Sequence, residues 1–87
     1  MSQQTVEASF STLVLSIGST AAMAMGLAPH PQTGKTELDL TMARFNIDML
    51  NVLQAKTKNN LSKEEGDFLN NLIADLQMRY LEVSKKS

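Results

Sequence analysis

The chain has 87 residues, with 8 Lys plus Arg against 9 Asp plus Glu, one His, no Cys and a formal net charge of -1. A chain of this length makes one domain with a small core, whose thin stability margin a partner subunit would widen. The near-neutral balance gives bulk electrostatics no part in drawing nucleic acid or anionic membrane, and the lack of Cys excludes disulfides, zinc thiolates and cysteine nucleophiles while suiting a reducing, cytoplasmic setting.

Low aromatic content, 5% with no Trp, beside 6 Met suits packed helices better than a β-sandwich. The pattern predicts an all-α domain of three helices over residues 9–84. A flexible N-terminus, 1–8, precedes it and a short tail, 85–87, follows.

The first helix is expected from Ser9, an N-cap residue type, to Gly26, the type that ends helices in the left-handed conformation. Phe10, Leu13, Val14, Ile17, Ala21, Ala24 and Met25 fall on one face at 100° per residue. The opposite face is small and uncharged: Ser9, Thr12, Ser16, Ser19, Ala22 and Gly26, with Leu15 and Met23 among them. A face without charge is buried against a helix or exposed as an adhesive surface, and Gly18, Ala22 and Gly26 permit close backbone approach. No positively charged start precedes this segment, which argues against a secretory signal. Six Ser, Thr and Gly interruptions, from Ser11 to Thr20, argue against a membrane span, which needs about 20 mostly apolar residues. Pro29, Pro31 and Gly34 then make the following stretch a loop, with His30 as an ordinary member of it.

The second helix is expected from about Thr36, in an approximate capping pair with Asp39, to about Lys58. It carries two apolar stripes. Leu38, Met42, Phe45, Met49, Val52 and Leu53 form one; Leu40, Ala43, Ile47 and Leu50 form the other. Two stripes require two partners. The second stripe, with Leu15, Gly18 and Ala22 of the first helix, is the expected interaction surface.

The third helix is expected to begin at Ser62. Ser62 and Glu65 make a capping box, and Glu64, Glu65 and Asp67 suit the positive end of the helix dipole. Leu69, Leu72, Ile73, Leu76, Tyr80 and Val83 line one narrow stripe, with Phe68 at its edge. Between helices two and three, KTKNNLSKEE reads as the turn of an antiparallel helical hairpin: Asn59 or Asn60 stops the helix by turning left-handed, and Leu61 staples the turn onto the core. Lys56, Lys58, Asn59, Asn60 and Lys63 also form a candidate polar contact for an anionic ligand or nucleic acid.

The long run ID-x-L-x-x-L-x-x-KTK-x-NL-S-x-EE, together with FSTLVLSIGSTAAMAMG, PQTG and LQMRYLE, resembles the bacterial domain of unknown function 1844 family from Phe10 to Tyr80. The resemblance implies Gly as the usual residue at the position of Asn59, in keeping with a left-handed stop, and Arg at that of Gln77. It implies no activity, so it transfers no catalytic or cofactor residue.

The favoured function is a non-catalytic interaction or self-association module, working by helix packing as a homo-oligomer, a dimer first, or with another protein. Binding of nucleic acid or an anion at the Lys56 to Lys63 hairpin, and membrane association through helix one, are the alternatives. No enzyme, cofactor or metal is expected. His30 has no second His or Cys to complete a site, the Ser and Thr residues of helix one lack a base, and no phosphate loop, H-E-x-x-H or Ca²⁺ loop is present.

Overall fold

The computed structural model describes residues 8–86, so the expected flexible N-terminus falls, save Ala8, outside the described residues. Three helices pack on one another, α1 (Phe10–Ala24), α2 (Leu40–Lys56) and α3 (Lys63–Lys86), with no strand among the described residues. Each end has a chemical cause. Ser9 caps α1, its hydroxyl accepting from the Thr12 N–H at 3.1 Å. At the far end Gly26, at φ +74°, lets the Leu27 N–H reach the Ala22 carbonyl and its own N–H reach that of Met23, each at 3.0 Å. This double closure is the Schellman arrangement.

α2 starts later than Thr36 predicts. Asp39 is the N-cap, its carboxylate accepting from the Met42 N–H at 3.1 Å. Tertiary pairing overrides the earlier start: Leu38 makes an isolated antiparallel bridge with Met25, and the Asp39 N–H donates to the Ala24 carbonyl at 2.7 Å. Residues held extended against the end of α1 cannot also be helical. The intervening loop closes on itself, the His30 N–H donating to the Lys35 carbonyl and the Gly34 N–H to the His30 carbonyl.

The hairpin joining α2 to α3 is built as its residues suggest. Thr57 is the C-cap of α2, its hydroxyl donating to the Leu53 carbonyl at 2.7 Å, and Asn59 turns left-handed at φ 72°. Ser62 and Glu65 then complete the capping box. The Glu65 N–H donates to the Ser62 hydroxyl, and the Glu65 carboxylate accepts from the Ser62 N–H at 2.9 Å. α3 runs past the predicted end at 84 to Lys86.

The core takes Val14, Ala21 and Met25 from α1 and its cap, Ala43, Ile47 and Leu50 from α2, and Leu69, Ile73 and Leu76 from α3. Leu61 and Phe68 pack against this cluster from the hairpin side, as the staple requires. Gly18 is buried where α1 meets α3, and a Cβ there would lie 2.9 Å from Leu72 Cδ2. Asn46 is the buried polar residue, its amide donating to the Met42 carbonyl at 2.9 Å. No buried side-chain nitrogen or oxygen lacks a partner among the described residues. The Cα trace is 15 Å through its thinnest direction, about two helix layers at 8–10 Å between axes.

Two predictions follow from backbone geometry. Asn59→Gly relieves a left-handed non-glycine residue and should raise stability by up to about 1 kcal/mol, seen as a higher urea midpoint at unchanged slope. A fall would show that the Asn59 side chain supports the turn. Gly18→Leu should cost about 1–3 kcal/mol by overpacking against Leu72. Gly18→Ala should stay near neutral, because a terminal Leu methyl can shift and Ala favours helix by about 1 kcal/mol.

Candidate interaction surface

The two apolar stripes of α2 are placed by the structure in the opposite sense to the sequence expectation. Ala43, Ile47 and Leu50 lie inside the chain, Ile47 at 2% exposure and the other two at 0%, with Leu40 half-buried beside them. That stripe is spent on α1 and α3. The stripe expected to face the core looks outward instead. Leu38, Met42, Phe45, Met49 and Val52 are between 42% and 55% exposed, and only Leu53 of that set packs on the core. The inner stripe shares one core with Val14 and Ala21 of α1 and Leu69, Ile73 and Leu76 of α3, and its branched Ile47 and Leu50 are among the largest side chains fully buried there.

No charged residue interrupts the exposed stripe within α2. Along its side Arg44 and Asp48 pair with each other at 3.2 Å, and the Arg44 guanidinium sits 5.8 Å from the centre of the Tyr80 ring, while exposed Glu37, Asp39 and Lys56 stand at its ends. Local pairing of this kind leaves little field over the stripe.

The expected surface of helix one falls at one groove. Leu15, at 53% exposure, half-buried Ala22 and buried Gly18, which also meets Leu72, line a groove of about 290 Å³ between α1 and α3. Leu27, Leu72 and Leu76 also line it, and Asp75 and Arg79, paired at 3.0 Å, stand on its edge. Sequence reasoning left Leu27 out, although its exposed position just past the Gly26 stop is readable once α1 ends there.

The polar block is a turn with its hydrogen-bonding groups engaged. Lys63 pairs with Asp67 at 2.8 Å, the Asn60 amide donates to the Lys58 carbonyl, and Asn59 supplies the left-handed residue. Lys56 and Lys58 are exposed, Lys56 in the last turn of α2 where its charge suits the dipole. The start of α3 is occupied by its own Ser62 and Glu65. A cross-hairpin hydrogen bond from the Gln54 amide to the Asn70 side chain ties α2 to α3 behind the turn.

His30 borders a cavity of about 280 Å³ with Thr20, Met23, Glu37, Asp39 and Met42, its Nδ1 accepting from the Gln32 N–H at 3.2 Å. No group of three or more His, Cys, Asp or Glu among the described residues could hold a metal ion. No helix among them is long and apolar enough to cross a membrane.

The exchange of stripes has a direct consequence for mutagenesis. Ile47→Asp buries an unpaired carboxylate and should unfold the chain, a loss of more than about 3 kcal/mol. Phe45→Glu places its charge in water and should leave helicity unchanged and stability within about 0.5 kcal/mol of the parent under conditions where the chain is monomeric. Circular dichroism of both variants checks the pair, and equal damage from each would contradict the placement of α2.

The family described as Domain of unknown function (DUF1844) matches residues 7–82 of the chain, a span that takes in α1, α2, both connections and most of α3. Comparison with curated proteins and with solved structures gives no match.

Proposed function

We propose that this chain, which belongs to the DUF1844 family, is a non-catalytic protein-interaction module that works by docking an apolar helix face. One observation carries the reading: Met42, Phe45, Met49 and Val52 stand along the outer side of α2, each about half exposed, with Leu38 just ahead of them. Single exposed apolar residues are ordinary on protein surfaces, but a contiguous row marks a contact. Each Å² of this row removed from water contributes about 25 cal/mol.

Met and Phe suit the task. Unbranched Met adapts to a facing surface, and Phe supplies a large rigid anchor. The chain's chemistry supports binding over reaction, since it has no Cys and its single His is engaged within its own loop. Assembly is then the output of the fold, and the capped hairpin holds α2 rigid so that the row stays straight.

A photo-reactive phenylalanine analogue at Val52, compared with one at exposed Asn71 on α3, tests this in the cell of origin. Irradiation should give a discrete protein adduct from position 52 and none from 71. Equal labelling at both positions, or none at 52, would overturn the reading.

A further inference from the structure

The spacing of the exposed row narrows what fits it. Within α2, Met42, Phe45, Met49 and Val52 stand three, four and three residues apart, and the exposed Leu38 lies just ahead of the helix. This spacing is the 3.5-residue period of a helix that packs along a second helix. We infer that the occupant is a second copy of this chain, with α2 lying antiparallel to its counterpart about a twofold axis. The inference rests on the interaction-module reading and names its partner.

Area, charge and symmetry support it. The five exposed side chains offer roughly 80–100 Å² each, taking half of the area of a large side chain, so two copies would bury roughly 900 Å². Neighbouring rim residues bring that to the threshold of about 1,000 Å² for a specific interface. The twofold places Phe45 of one protomer against Met49 of the other, and Met42 against Val52. The same pairing sets Lys56, the next position in the pattern and exposed, over the approach to α2 in the other copy, where Glu37 and Asp39 are exposed. A basic end thus meets an acidic one twice, and the antiparallel helix dipoles also attract. The two Asp48 residues approach near the axis, each already paired with its own Arg44 at 3.2 Å.

A parallel pair lacks these features, because it would bring Lys56 against Lys56. A negatively charged membrane suits the row less well. Surface-binding helices flank their apolar face with Lys and Arg, whereas here Arg44 is paired and Asp48 stands beside it.

Light scattering on the purified chain over a dilution series tests self-pairing. Twice the chain mass is expected, with Phe45→Glu raising the dissociation constant at least about 100-fold at unchanged helicity. Leu15→Glu, in the α1–α3 groove, should leave the dimer intact. Orientation is read by oxidation of single-cysteine variants, available because the chain has no Cys. Asp48→Cys should form an interchain disulfide and Lys56→Cys should not, and the reverse would overturn the antiparallel arrangement. A dimer indifferent to Phe45→Glu, or lost with Leu15→Glu, would overturn the α2 seam. A wild-type chain that is monomeric throughout would overturn self-pairing. In that last case an adduct of foreign mass at position 52 would leave the interaction-module reading standing, and no adduct would remove both.

Discussion

The fold turns on burying one stripe of α2 against α1 and α3. Ala43, Ile47 and Leu50 of that stripe share one core with Val14 and Ala21 of α1 and Leu69, Ile73 and Leu76 of α3, and a Cβ on Gly18 would require a Leu72 methyl to move. Close-packed interiors penalise added volume about as severely as voids. With that stripe inside, Met42, Phe45, Met49 and Val52 lie outside. The exposed row is therefore a consequence of the internal packing, since one helix cannot bury opposite faces inside a molecule two layers thick.

Rigid ends keep that arrangement in place. Asp39 caps α2 and is itself tied to Ala24, while Thr57, Asn59 and the Ser62–Glu65 box make the turn at the other end. Each cap contributes on the order of 1 kcal/mol, which matters in a domain with nine buried core residues among those described. Among the described residues the ion pairs Arg44–Asp48, Lys63–Asp67 and Arg79–Asp75 are exposed four-residue helix pairs, worth about 0.3–0.5 kcal/mol each. They keep charge on the polar faces and off the outer row of α2. Order in the hairpin and absence of charge on the row together make α2 a straight, apolar and presentable helix.

The polar block shows the same division of labour. Its composition invites a binding site, yet most of its hydrogen-bonding groups are committed to the chain. Asn60 donates to Lys58, Ser62 and Glu65 cap each other, and Lys63 neutralises Asp67. What the block provides is a stable turn, and the cost of Asn59 in the left-handed region is met because the packed hairpin leaves it no alternative.

The sequence by itself determined the three helices, the Ser9 cap, the Gly26 stop, a left-handed Asn at 59 or 60, of which the structure selects Asn59, and the capping box, because these depend on contacts within a few residues of chain. It also determined that α2 has two apolar stripes, since helical period is a local property. Only the tertiary structure decided which stripe is inside. That choice depends on how α1, α2 and α3 share one core, which hydrophobic periodicity does not encode. The start of α2 was likewise a tertiary matter: Thr36 has the chemistry of a cap, but the pairing of Leu38 with Met25 and of Asp39 with Ala24 holds residues ahead of the helix extended. Apart from Thr36, signals read from neighbours in sequence were reliable here. Those that required knowing how much volume a distant helix leaves free were not, because volume is shared only once the chain has folded.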